Sequence, residues 1–343
     1  MIAVQDTELI LCSVCIANYQ GIALIDECID SVYRQAIDFN IEIIVHDDAS
    51  SDGSAAHIRA KYPFVRVIES HENVGYCIAN NRMAAMATGR YLLLLNNDAM
   101  LLPGALDVLR SEAGRIAGPA ILTLPQYDAL SGELLDIGSR LDPFLNAVPN
   151  RNCTLTDVGM VAGACLWIDR RLWNQIGGFP EWFGSLAEDL FLCCRARLAG
   201  YPVRAVAQSG YRHHVGAQFG GGKMRGGRLS TTFRRRALTE RNKTFVMVMT
   251  YPSLLMPIML SLHLMLLLIE GAVLSFVKWK RTYLKEIYLP VFVGLLRCRK
   301  ELQTGRGASM RKRRLSCISF FAVFDPLPYK LRMMFKYGLP EIK

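Results

Sequence analysis

At 343 residues, 51% of them hydrophobic, the chain is long enough to bury a full core, as one large domain with an appendage. Its net charge of +10 is unevenly spread: residues 1–210 carry 15 Lys/Arg against 24 Asp/Glu, whereas residues 211–343 carry 25 against 6. A basic tail rich in apolar runs suits an anionic membrane face. It argues against nucleic acid, which calls for aromatics interleaved with polar groups.

In chain order, Leu9–Ile16 is a short apolar run expected to form a strand. Leu24–Tyr33 places Leu24, Ile25, Cys28, Ile29 and Val32 at a helical period. Ile41–Val45 is a second run, followed by the turn-rich HDDASSDGS and a helical stretch, and Phe64–Ile68 is a third. Cys77–Ala87 reads as a helix capped by Gly89, and Tyr91–Leu95 as a fourth strand, ending LLLLNND. Continuous apolar strands separated by helices predict a mostly parallel sheet covered on both faces, with ligands bound beyond the carboxyl ends of the strands. Ala17–Gln20, Asp47–Ser54 and Asn96–Asp98 each follow a run directly and would share that edge.

Further on, Met160–Ile168 is strand-like, Leu186–Ala199 helical with Gly200 as its end signal, and Val203–Ala207 a strand leading to His213-His214. Gly216–Gly227 holds six glycines among Lys223 and Arg225 and is expected to be a mobile loop. Residues 254–277 are apolar except for His263 and Glu270; as one helix they would be about 36 Å long, enough to cross a membrane. Basic residues flank this segment on both sides, and Pro257, Glu270 and Gly271 interrupt it. A monotopic or re-entrant element on the cytoplasmic leaflet is therefore expected ahead of a straight span. The ten cysteines show no metal or disulfide framework and are expected to be reduced thiols serving as small apolar residues. No basic region precedes an apolar run at the N-terminus, so no signal peptide is expected.

Taken alone, the polar clusters are ambiguous. DDASSDGS (47–54) is either an ordinary turn or a base- and ribose-binding loop, and Asp98 is either a turn former or a hard oxygen ligand beside a rigid strand. The adjacent Glu188 and Asp189 can raise one another's pKa and suit a general base, or simply complement a helix N-terminus. His213-His214 is a candidate metal ligand or a surface turn.

The ordered set NYQG, IEIIVHDDASSDGS, ENVGYCIANNRMAAMATGRYLLLLNND, VAGACLWIDRRLW, IGGFPEWFGSLAEDLFLCCRARLAGY and HHVG resembles the family 2 glycosyltransferases, and among them the bacterial rhamnosyltransferase-like branch. The resemblance covers about residues 9–245, Arg241-Asn242 included. It implies an α/β GT-A fold with a Rossmann-like, mostly parallel sheet, and an inverting, metal-dependent transfer of a sugar from a nucleotide-sugar donor to an acceptor hydroxyl. On this basis Ala17, Tyr19, Asp47, Asp48, Asp52, Asn73, Gly75, Asn81 and Asn97 would line the nucleotide, with Lys223, Arg225 or Arg228 reaching its diphosphate. Asp98 and His213, less so His214, would hold a divalent cation, Mg2+ or Mn2+. Asp189 would be the catalytic base, with Glu188 supporting it or facing the acceptor, while His46 is expected only to pack.

The implied organisation is a catalytic domain over 1–235, with its nucleotide half at about 1–100 and its acceptor half at about 101–235, then a basic, apolar helical membrane-associating region over 236–343. The implied partners are a nucleotide sugar, with rhamnose inherited from the branch, and a lipid-linked or lipopolysaccharide-type glycan on the inner leaflet of the bacterial cytoplasmic membrane; nucleic acid is not among them. Transfer to a polyprenyl phosphate, and an inactive nucleotide-sugar-binding adaptor, stay open as alternatives.

Overall fold

The computed structural model describes residues 9–216, 221–225 and 228–343, with side chains over 9–216 and 230–343. The first half alternates β1 (Cys12–Asn18), α1 (Ile25–Tyr33), β2 (Ile41–Asp47), α2 (Ser54–Lys61), β3 (Arg66–Glu69), α3 (Tyr76–Met86) and β4 (Tyr91–Asn96). Then follow β5 (Ala99–Leu101), α4 (Ala105–Arg115), β6 (Ile121–Thr123), β7 (Gln126–Asp128) and the short β8 (Leu134–Asp136), β9 (Arg140–Leu141) and β10 (Ala147–Val148). The chain continues with β11 (Cys165–Asp169), α5 (Arg170–Ile176), α6 (Glu188–Leu198), β12 (Val203–Ala205) and β13 (Tyr211–His213).

The main sheet has the order β12-β6-β11-β4-β1-β2-β3. β1 to β4 run parallel, as expected, but β11 pairs antiparallel with both β4 and β6. The run Leu92–Leu95 is continuous because alternate residues feed opposite cores: Leu92 and Leu94 one face, Leu93 and Leu95 the other. Burying these leucines on both faces is what fixes the position of the polar edge beyond them. Gly89 is not a cap, since α3 ends at Met86; a Cβ there would lie 2.6 Å from the Ser13 backbone nitrogen, so glycine lets the chain cross tightly into β4.

The glycine-rich stretch departs from a loop in its described parts: β14 (Gly221–Arg225) and β15 (Arg228–Thr231) form a hairpin, joined by β16 (Glu341–Ile342). The ten cysteines are free thiols; Cys153 is exposed and Cys298 and Cys317 half-buried, and the remaining seven pack as small apolar groups.

The helical tail is continuous with the catalytic core. α7 (Phe233–Thr250) runs through the expected boundary at residue 235, and its Phe245, Val246, Met247 and Met249 share one apolar cluster with Phe183 and Phe191. The tail continues with α8 (Met256–Val277), a π-helical turn Tyr283–Tyr288, and α9 (Leu289–Arg297). It ends with α10 (Arg299–Arg311), α11 (Cys317–Phe321) and α12 (Tyr329–Tyr337).

The three apparent interruptions of the apolar segment each have a structural role. Pro257 sits in the first turn of α8, where no amide donor is needed. Gly271 allows close approach, because a Cβ there would lie 2.7 Å from Leu284 and Tyr288. Glu270 lies on the inward side with buried His263, Leu267, Gly271 and Leu274, and accepts from Arg236 at 2.5 Å and Lys330 at 2.8 Å. The same two cations, with Lys243, also meet buried Glu240, so five charges join α7, α8 and α12. α8 thus lies along the protein on one side and leaves Ile258, Met265, Ile269, Val273 and Phe276 exposed on the other.

Removing the carboxylate shared by three cations should be costly. Glu240→Gln is expected to lower unfolding free energy by about 3–5 kcal/mol in denaturant melts of the full chain, against little change for the exposed Glu133→Gln.

Candidate active site

Three strand ends meet at one edge. Asn18, at the end of β1 and 1% exposed, donates to Asp47 Oδ2 at 2.8 Å and to Ser54 Oγ at 2.9 Å, and accepts from Asn97 at 2.8 Å. It therefore locks β1, β2 and the end of β4 together. The sequence reading missed it, naming its neighbours Ala17 and Tyr19; the available signal was an asparagine ending an apolar run within NYQG. Gly21 is required beside it, since a Cβ would lie 2.0 Å from Asn18 Oδ1.

The aspartates of the second loop are engaged with backbone. Asp47 also accepts from Ser50 N at 2.9 Å, and Asp52 accepts from Ile22 N and Ser54 N. Asp48 accepts from Val74 N at 2.7 Å and Gly75 N at 2.9 Å, so it draws the start of α3 onto this edge, and Asn73 donates to Asp48 O. Ala17 stands in register with His46 and Asn96, and Tyr19 is exposed. Asn81 is committed elsewhere: its amide donates to Phe179 O at 2.9 Å and Glu181 at 3.2 Å and accepts from Phe179 N. His46 is fully buried, with Ser70 Oγ 3.2 Å from its Nε2. The side chains of Lys223, Arg225 and Arg228 lie outside the described residues.

Antiparallel pairing of β13 with β5 sets His213 opposite Ala99, next to Asp98. Asp98 Oδ1 lies 3.1 Å from His213 Nε2 but accepts no aligned hydrogen bond. Two ligands at right angles on a small divalent cation stand ~3 Å apart, so this spacing fits a shared cation. The Gln126 amide stands 3.1 Å from His213 Nδ1 and 3.0 Å from the Tyr211 hydroxyl, which fixes the imidazole plane; with the amide turned so that its oxygen accepts from Nδ1–H, the Nε2 lone pair is free for a cation. Gln126 left no sequence signal. His214 donates its backbone N–H to Asp98 O at 3.1 Å. Among the described residues no group of three or more His, Cys, Asp or Glu gathers around one point. Asp98 and His213 thus offer one carboxylate oxygen and one imidazole nitrogen close enough to share a cation.

Glu188 and Asp189 open α6, and Glu188 is 6% exposed. Asp189 Oδ2 accepts from Gly163 N at 3.1 Å and Oδ1 from Leu190 N at 2.7 Å, whereas Glu188 Oε2 has no hydrogen-bond partner. Burial pushes both carboxyls up; the nearby Asp189 charge pushes Glu188 further, while backbone N–H groups hold Asp189 back. Arg235, in the first turn of α7, also lowers both. These directions favour the proton on Glu188 and the charge on Asp189.

A two-residue segment joins this pair to the end of β4. Gly163, bonded to Asp189, also receives the Tyr76 hydroxyl at 3.0 Å, and the adjacent Ala164 O accepts from Asn96 N at 3.1 Å. The structure thus brings Asp189, Asn96-Asn97-Asp98 and His213 into one neighbourhood.

Residues 13–177 match the family model described as Glycosyl transferase family 2. Among curated proteins, the chain is similar to the N-acetylglucosaminyl-diphospho-decaprenol L-rhamnosyltransferase of Mycobacterium tuberculosis, at 24% identity over 51% of this chain and 66% of that protein. Among solved structures, it is similar to GalNAc-T7, solved with UDP, GalNAc and Mn2+, at TM-score 0.56 and 16% identity over 70% of this chain and 49% of that one. It is also similar to residues 1–349 of S. aureus TarS in complex with UDP-GlcNAc, at TM-score 0.52 and 15% identity over 88% and 89%. These likenesses, the strand order and the polar edge agree: residues 13–177 form a glycosyl transferase family 2 domain, and the chain has the GT-A fold.

Proposed function

We propose that the chain is an inverting glycosyltransferase that moves a sugar from a nucleoside-diphosphate donor to a hydroxyl of a lipid-linked glycan. The observation that carries this reading is the acid pair, buried at Glu188 and half-buried at Asp189, in which the Asp189 carboxylate accepts from two backbone N–H donors beside the strand edge. Asp189 takes the proton of the acceptor hydroxyl as its oxygen bonds to the anomeric carbon, and the bond to the diphosphate oxygen breaks on the opposite side. Glu188, protonated, adds no competing negative charge. Asp47, Asp48 and Asp52 retain lone pairs for base and ribose donors, and exposed Tyr19 offers a stacking face. A divalent cation held by Asp98 and His213 would supply positive charge to the departing diphosphate. The similarity to a decaprenol-linked rhamnosyltransferase supports a polyprenyl-diphosphate glycan as the acceptor and rhamnose as the sugar.

The exposed side of α8 supports a membrane partner. Its apolar residues border exposed Lys278, Lys280, Arg281 and Lys285, a combination suited to lying in an anionic lipid interface rather than crossing it. In this reading residues 236–343 hold the catalytic domain on the cytoplasmic leaflet beside its acceptor.

Three outcomes are expected. Asp189→Asn lowers turnover by about 10²–10⁴-fold while Glu188→Gln stays within about ten-fold, and the acid limb of the wild-type pH–rate profile lies above the usual aspartate range near ~4, because burial raises Asp189 and activity needs its ionised form. Equal tolerance of both substitutions would favour an already ionised phosphate acceptor. In calorimetric titrations of nucleoside diphosphate, Asp98→Ala abolishes the affinity gained on adding Mn2+; an unchanged gain would remove Asp98 from the cation site. Ile269→Asp with Phe276→Asp reduces co-sedimentation of the full chain with anionic vesicles by about ten-fold, and undiminished sedimentation would place the membrane surface elsewhere.

A further inference from the structure

The turn that delivers the acid pair has an unusual backbone. Leu186 and Ala187, immediately before Glu188, both adopt left-handed conformations, with φ of 73° and 65°. Neither is glycine, and α6 begins without a side-chain cap. Such a conformation persists only where its surroundings impose it.

The surroundings are two consecutive residues of α7. Asn242, fully buried, directs its amide N–H groups at three carbonyl oxygens of this turn: Phe183 at 3.2 Å, Ser185 at 2.9 Å and Leu186 at 2.8 Å. Arg241 donates from Nε to Asn242 Oδ1 at 2.9 Å, which fixes the amide's orientation, and from a second nitrogen to Phe183 O at 3.2 Å. Asn242 therefore touches every peptide that leads into the left-handed pair except the one following Gly184. No reacting group lies within its contacts.

We propose that Asn242, oriented by Arg241, is a positioning residue for sugar transfer: it holds the Ser185–Ala187 turn in the left-handed form that aims Asp189 at the acceptor. The inference rests on Asp189 as the base. Loss of the clamp lets the turn relax to right-handed or extended backbone, which rotates the start of α6 and withdraws Asp189 from Gly163 N. Donor binding at the β1–β2–β4 edge is untouched, so the defect falls on turnover.

Glycine tests this because it enters the left-handed region without the Cβ clash. In steady-state assays of the full chain, Asn242→Ala is expected to lower kcat ten- to hundred-fold with donor KM within two-fold, and adding Ala187→Gly to it is expected to restore kcat at least five-fold. Melting temperatures of the same proteins separate folding from turnover. If Asn242→Ala does not fold, the comparison is Ala187→Val with Ala187→Gly in the otherwise native chain, where the β-branched residue should turn over at least ten-fold more slowly. Absence of glycine rescue, a rise in donor KM in place of the fall in kcat, or equal turnover of the valine and glycine proteins would overturn the clamp. Glycine rescue in a chain whose Asp189→Asn form is fully active would leave the clamp standing and remove Asp189 as the base.

Discussion

A carboxylate partly withdrawn from solvent can stay charged only if something replaces the water it lost, and at half-buried Asp189 the replacement is the backbone. Gly163 N and Leu190 N each donate to one of its oxygens. Much of the surrounding architecture serves that arrangement. β4 and β11 place the Gly163–Ala164 segment against Asn96, Tyr76 buttresses Gly163 from α3, and Cys77 N donates to Gly184 O at 3.1 Å, joining α3 to the turn that leads into the acid pair. Glu188 is buried and also faces the Asp189 charge, which pushes its carboxyl up against the pull of nearby backbone N–H groups, so two neighbouring acids come to differ through their surroundings alone.

The helical tail enters this account as part of the catalytic unit. α7 packs its Phe245 against Phe183 at the base of the acceptor turn and carries Arg236, Glu240 and Lys243 into the ion cluster with α8 and α12. One helix thus bears on the acid pair at one turn and on the apolar surface helix at another. A link of that kind ties the position of the acid pair to that of the exposed apolar side of α8.

What was legible in the sequence follows from what burial does to residue patterns. The four parallel strands and their polar ends could be read because strands covered on both faces become unbroken apolar runs, as Leu92–Leu95 does. The antiparallel direction of β11 could not, since Cys165–Asp169 presents the same kind of run whichever way it lies. Nor could composition show which side of α8 faces inward, because nearly all of it is apolar; the seven-residue spacing of His263 and Glu270, two turns of one face, was the overlooked clue. At the site, Asp98 and His213 were named through family resemblance and met in space through the β5–β13 pairing. Gln126 and Tyr76 were missed because each acts through another residue whose position no local pattern marks; Asn18 showed only as the asparagine ending an apolar run, and Asn242 only as part of the resemblance, with no role attached.

The central claim is a single displacement with Asp189 as base, and the anomeric configuration of the product tests it most directly. Proton NMR of the glycoside formed from the nucleotide sugar the enzyme turns over should show inversion relative to the donor. Retention would require a covalent or front-face route and would contradict the account.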